Sequence, residues 1–178
     1  MNTIQDPLKG TNPTETSVSI PAAEPLRIQE LPAVKFSRIL VPVDFSDNSR
    51  QALRFALALA RDFNSEITLL HVVHRYPPIP EMAPVDVESL QDARQALNKL
   101  HAEFSGLVRS KISLRIGNAA SEIAQAARDL GSDLIVISTH GRTGLAHVLM
   151  GSTAEMVVRL APCPVITLRN SAKEFGRG

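Results

Sequence analysis

The chain has 178 residues, 44% of them hydrophobic, and 19 Lys plus Arg against 18 Asp plus Glu leave a net charge of +1. One domain with a sizeable core is within reach, and nothing in the balance suggests the strongly basic face that a nucleic acid or an anionic membrane would need. One cysteine, Cys163, excludes an internal disulfide and a cysteine-rich zinc site, and the absence of Trp leaves six Phe and one Tyr, mostly in apolar runs, as poor material for stacking nucleobases.

In chain order, residues 1–34 come first, with five prolines (Pro7, Pro13, Pro21, Pro25, Pro32) in a Thr-, Ser-, Asn- and Glu-rich stretch. The expectation is a disordered or loosely attached arm. Met1 to Gly10 lack the apolar core of a secretory signal, and no run approaches the roughly 18 apolar residues of a membrane span, so the expected location is cytoplasmic. Ser37 to Val43 then reads as a strand whose continuous apolar centre suits a sheet covered on both faces. Asp44-Phe45-Ser46-Asp47 carries helix-start chemistry, with Ser46 as N-cap. The helix is expected to reach about Asp62, with Ala52, Leu53, Phe55, Ala56, Leu59, Ala60 and Phe63 toward the core.

Glu66 to Val73 is the second strand. A proline-rich loop, Tyr76 to Pro84, precedes a helix with Leu90, Ala93, Leu97, Leu100 and Phe104 at steps of three and four. Ile112 to Ile116 is the third strand, Ala119 to Leu130 the third helix, stopped by Gly131, and Asp133 to Ser138 the fourth strand. A glycine-rich loop leads into a helix from Ser152 to Leu160, and Val165 to Leu168 is the fifth strand. Cys163, between two prolines, reads as a small buried hydrophobe. Ser171 to Gly178 reads as a frayed tail, so the domain is expected at 35–170.

Strands alternating with helices imply an α/β fold: a doubly wound, five-stranded parallel sheet, Rossmann-like, with helices on both faces. Such sheets bind ligands beyond the carboxyl ends of the strands, where strand order reverses. The segments after strands one, two and four are therefore the ones to inspect. After strand four, Ser138-Thr139-His140-Gly141-Arg142-Thr143-Gly144 and, nine residues beyond Gly141, Gly151-Ser152-Thr153 hold the makings of an anion site. The glycines allow close backbone approach, a helix start offers unpaired N–H groups and positive charge, and the Ser152 and Thr153 hydroxyls and Arg142 add polar contacts. The plainer alternative has Gly141 and Gly144 turning the chain, Ser152 capping a helix and Arg142 solvated.

From Phe36 to Arg169 the chain resembles the universal stress protein family. The residues that carry the resemblance are Ile39-Leu40-Val41-Pro42-Val43-Asp44-Phe45-Ser46, Leu69-Leu70-His71-Val72-Val73, Asp133 to Leu145, Leu149 to Glu155, and Cys163-Pro164-Val165-Ile166-Thr167. The resemblance implies strand order 3-2-1-4-5 and, in ATP-binding members, a spacing of Gly, two residues, Gly, nine residues, Gly, then Ser or Thr. Here Gly141, Gly151 and Ser152 fit, and Ser138 stands at the first glycine. It also implies that Pro42, Val43 and Asp44 line an adenosine pocket, with Asp44 accepting hydrogen bonds, and that Val72 and Ile137 lie against adenine. Strand five, Val165-Ile166-Thr167-Leu168, is implied to pair with its copy in a homodimer. An edge strand this apolar is an aggregation hazard if left open.

No phosphate-loop lysine motif, dinucleotide fingerprint or nucleophile elbow is present. His71 and His74 are a weak metal pair, and His140 is expected at the phosphate loop, turned to solvent. His101 and His147 look like surface residues. Three functions stay open: a regulatory dimer that binds ATP, a slow ATP hydrolase using Mg²⁺-bound triphosphate, and an interaction module without nucleotide, which Ser138 favours.

Overall fold

The computed structural model describes residues 34–74, 87–140 and 151–169. The expected arm (except Val34), the Tyr76 to Pro84 loop and the tail lie outside the described residues, as do Gly141, Arg142 and Gly144. The order of elements is β1 (Arg38–Pro42), α1 (Asp47–Phe63), β2 (Glu66–His74), α2 (Val87–Ala102), β3 (Ser110–Gly117), α3 (Ala119–Asp129), β4 (Leu134–Ser138), α4 (Ser152–Leu160) and β5 (Val165–Leu168). The strands form one parallel sheet in the order β3-β2-β1-β4-β5. This is the α/β, doubly wound architecture expected.

The apolar strands alternate between two cores. Ile39, Val41, Ile67, Leu69, Leu134 and Val136 face Ala52, Leu53, Ala56 and Ala60 of α1 and Leu97 and Leu100 of α2. Leu40, Leu70, Ile135 and Ile137 face Ala120, Ile123, Ala126 and Ala127 of α3 and Ala154 and Val157 of α4. The small alanines let α1 and α3 lie close to the sheet. Phe55 and Leu59 are only partly buried against the first core. Phe63 departs from expectation: it is 36% exposed and sits edge-on to Phe36, ring centroids 5.4 Å apart. It ends α1, where the helix face rotates off the sheet. Phe104 lies beyond α2 rather than in it, but is buried in the same core. Cys163 is half-buried against the second.

Strand order reverses between β1 and β4. Their pairing runs through Ile39↔Leu134 and Leu40↔Ile135 only, whereas β1 follows β2 along its whole length. Beyond Leu40 the sheet holds a crevice where a doubly wound fold places its ligands.

Candidate functional site

Three helices start around that crevice, and each start is built differently. At the end of β1, the chain turns through Phe45, which takes a left-handed φ of 66°, a strained conformation for a side-chain-bearing residue. Asp44 braces the turn: its Oδ1 accepts from Ser46 N at 3.1 Å and from Ser46 Oγ at 2.6 Å. Ser46 caps α1 as expected, its Oγ accepting from Ser49 N at 3.2 Å. Buried Ser49 donates its hydroxyl to Ser46 O at 2.9 Å.

From β2, His71 reaches the same turn. Its Nδ1 lies 2.7 Å from Val43 O. A carbonyl only accepts, so Nδ1 carries the proton. The ring packs on Phe45 with centroids 4.5 Å apart, and Val43 N donates to Leu70 O at 2.8 Å. His71 is thus a strut between β2 and the β1–α1 turn. His74 belongs to β2, which runs one residue beyond the end expected at Val73. Among the described residues no group of three or more His, Cys, Asp or Glu could hold a metal ion. His101 is not a plain surface residue either: it pairs with Ser110 Oγ at 2.9 Å and stands edge-on to Phe104.

The α3 start is capped by Asn118, whose Oδ1 accepts from Ser121 N at 3.1 Å. At α4 the N-cap is Gly151, with no side-chain cap. Ser152 is the first helical residue, so the plainer alternative, Ser152 as the cap, does not hold. Gly151 N donates to Thr139 O at 2.7 Å. A Cβ on Gly151 would stand 2.9 Å from that backbone oxygen, closer than real Cβ contacts come. Glycine is required here for room, since its φ of −70° is open to any residue. The first intrahelical bond runs from Glu155 N to Gly151 O. By helix geometry, the amides of Ser152, Thr153 and Ala154 have no partner inside the helix, and they carry the positive end of its dipole.

These pieces enclose a cavity of about 390 Å³. It brings together nine of the expected site residues: Pro42, Val43 and Asp44 after β1, Val72 on β2, Ile137 and Ser138 on β4, and Gly151, Ser152 and Thr153 at α4. Thr139, part of the segment singled out after strand four, also lines it, while Ser49, Leu70, His71, His74, Ala119, Ile123 and Ala154 complete the wall and were not expected there. Thr139 is tied to the neighbouring strand, its N donating to Leu168 O at 2.8 Å and its Oγ1 at 3.2 Å. His140 Nδ1 lies 2.9 Å from the same Oγ1. Ala119 and Ile123 follow from the carboxyl-edge rule applied to β3, which ends at Gly117 on the same edge. Ser49, Leu70 and Ala154 give no signal, being residue types that any core uses.

Chemically, the described residues give the cavity apolar walls for a flat ring, one carboxylate, five hydroxyl-bearing residues and a helix start suited to an anion.

The model of the universal stress protein family matches residues 35–169. A universal stress protein of Methanocaldococcus jannaschii is 34% identical over 146 residues, covering 78% of this chain and 85% of that protein. Among solved structures, universal stress protein UspA of Lactobacillus plantarum superposes with a TM-score of 0.69 at 30% identity, over 77% of this chain and all of that one. A universal stress protein of Archaeoglobus fulgidus, solved in complex with dAMP, shares the fold with a TM-score of 0.58 at 23% identity, over 75% of this chain and 98% of that one. A match that spans nearly the whole described region, with relatives above 30% identity along most of their length, settles the affiliation: the chain belongs to the universal stress protein family.

Proposed function

We propose that the cavity binds an adenine nucleotide, ATP foremost, and that occupancy alters the shape or partners of a cytoplasmic homodimer acting in stress response. The observation that carries this reading is the uncapped start of α4, opening at the point where strand order reverses. The polyphosphate would lie on the amides of Ser152, Thr153 and Ala154, with the Ser152 and Thr153 hydroxyls beside it. The adenosine would lie between Pro42, Val43 and Val72 on one side and Ile137 on the other. Asp44 would accept from the sugar or base. Gly141, Arg142 and Gly144 complete the phosphate side in this reading. The dAMP complex of the Archaeoglobus relative supports an adenine nucleotide as the ligand class. Mg²⁺ would arrive with the triphosphate, held by phosphate oxygens, since Asp44 is the single carboxylate among the described residues of the wall.

The family match at 35–169 supports a domain of 35–170, with residues 1–34 as an arm and 171–178 as a tail. Strand β5 supports the dimer. It is one of the two sheet edges, its four residues Val165, Ile166, Thr167 and Leu168 are half-buried, and Met156, Val158 and Leu160 of the neighbouring α4 are exposed apolar side chains. A second copy paired along β5 would cover that edge.

The test is direct. Freshly purified protein is denatured and any released nucleotide identified by chromatography and mass, and ligand-free protein is melted with and without millimolar ATP. Released adenine nucleotide, or a melting rise in line with the roughly 2.7 kcal/mol that a ligand at about 100 times its Kd contributes, is the expected result. Empty protein with unchanged melting would return the chain to the nucleotide-free interaction module.

A further inference from the structure

Past Pro42, β1 leaves the sheet: its pairing with β4 ends at Leu40↔Ile135 and that with β2 at Pro42↔Leu70. The turn that follows carries Val43 and Asp44 into the cavity wall, where strand pairing no longer holds them. Two bonds from β2 take over. Val43 N donates to Leu70 O at 2.8 Å, and Val43 O accepts from Nδ1 of His71 at 2.7 Å. With both of its polar backbone groups fixed, Val43 sets the angle of the planar peptide that joins it to Asp44. Phe45, on the other side of Asp44, keeps its left-handed φ of 66° only because its surroundings enforce it. The His71 ring is part of those surroundings, 4.5 Å from the Phe45 ring between centroids and tilted by 38°.

One imidazole thus anchors the residue before Asp44 through Nδ1 and the residue after it through its face. The Asp44 carboxylate passes the constraint on to Ser46 N and Ser46 Oγ, and so to the cap of α1. The start of α4 has a separate support, since Gly151 N hangs on Thr139 O at the end of β4. On the nucleotide reading above, on which this step rests, we propose that His71 is a positioning residue for the nucleoside half of the ligand: acting through Val43 and Phe45, it holds Asp44 where the sugar or base meets it. A turn already ordered spares the ligand the cost of ordering it. The phosphate half, on α4, gains nothing from His71.

Calorimetric titration of the full chain with ATP, adenosine and inorganic triphosphate tests this, on the wild type, His71→Leu, His71→Asn and His71→Gln. His71→Leu is expected to weaken ATP and adenosine by the same factor, about three- to ten-fold, the range of one neutral hydrogen bond. Its affinity for triphosphate should stay within about two-fold of wild type. His71→Asn, whose amide can donate from near the place of Nδ1, should recover part of the adenosine affinity. His71→Gln, whose amide reaches to the place of Nε2, should not. Adenosine affinity unchanged in His71→Leu overturns the proposal. An equal loss for triphosphate overturns it too, because His71 would then support the fold as a whole. Rescue by His71→Gln as good as that by His71→Asn does the same, because the bond to Val43 O would not be what matters. Should His71→Leu fail to fold, the Asn and Gln variants decide alone: tighter adenosine binding by His71→Asn is expected, and equal or weaker binding overturns the proposal. A wild type that binds neither ATP nor adenosine removes the nucleotide reading itself, and this inference with it.

Discussion

The starts of α3 and α4 border one cavity and treat their free amides in opposite ways. At α3, Asn118 folds its own side chain back onto Ser121 N, and the helix end is satisfied from within. At α4, Gly151 has no side chain to fold back, and its place against Thr139 O leaves room for none. Capping alone would favour Ser, Thr, Asp or Asn at that position. A glycine forced by a backbone contact, at the one helix start around the cavity without a side-chain cap, trades local helix stability for exposed donors. The difference separates stability from binding: substitutions at α3 should change the first, and substitutions at α4 the second.

The strongest way to break the comparison is Gly151→Val. Its Cβ would be driven against Thr139 O, displacing the amides on which the phosphates are proposed to rest. ATP affinity is expected to fall ten- to a hundred-fold, about 1.4 to 2.8 kcal/mol, measured by calorimetric titration. Affinity unchanged in a folded Gly151→Val protein would place the nucleotide elsewhere.

The next effect concerns the β1–α1 turn on the far wall. His71→Leu removes the donor to Val43 O and is expected to lower stability by about 1 to 3 kcal/mol in urea unfolding. His71→Asn places an amide donor near the position of Nδ1 and should restore part of that loss. A leucine variant as stable as wild type would mean the strut carries no load.

Asn118→Ala and Ser152→Ala sharpen the comparison directly. The first is expected to cost about 1 kcal/mol of stability with ATP affinity within about two-fold of wild type. The second should leave stability within about 0.5 kcal/mol, because Ser152 does not cap α4, and weaken ATP binding about three-fold or more. Were both substitutions to act on stability alone, the contrast between the two helix starts would have no functional meaning.

The sheet was legible because its strands are continuous apolar runs, which is what burial on both faces demands. The Ser46 cap was legible because a serine before an amphipathic run has few other uses. The site was legible only through the carboxyl-edge rule and the family resemblance. His71 shows why the rest was not. A histidine inside Leu69-Leu70-His71-Val72-Val73 carries no local sign that its partner is a carbonyl 28 residues upstream. That contact exists only once β1 and β2 have paired in register. Gly151 is similar: the sequence shows a glycine before a helix, but the reason for it, the oxygen of Thr139, arrives from another strand end. Phe63 went astray because helical periodicity does not say where a helix outruns the sheet it packs on.

The smallest expected effect lies at the other end of α3, away from the cavity. Arg115 Nη2 donates to Asp129 Oδ2 at 2.6 Å, Gln125 Nε2 donates to Oδ1 at 2.8 Å, and together they hold the Asp129 carboxyl below its usual range, the arginine contributing most. A carboxylate whose pKa is depressed by folding stabilises the protein above its unfolded pKa, near 3.9. That stability is lost as pH falls through the lower folded value. Unfolding of wild type and Asp129→Asn should therefore diverge slightly at neutral pH and converge in acid. The exposed setting keeps the difference small and makes it shrink in high salt. Because no part of this pair touches the cavity wall, ATP affinity at neutral pH should be the same in both proteins. A drop in affinity in Asp129→Asn would mean that α3 transmits changes at its carboxyl end to its capped start, and the separation of stability from binding along that helix would fail.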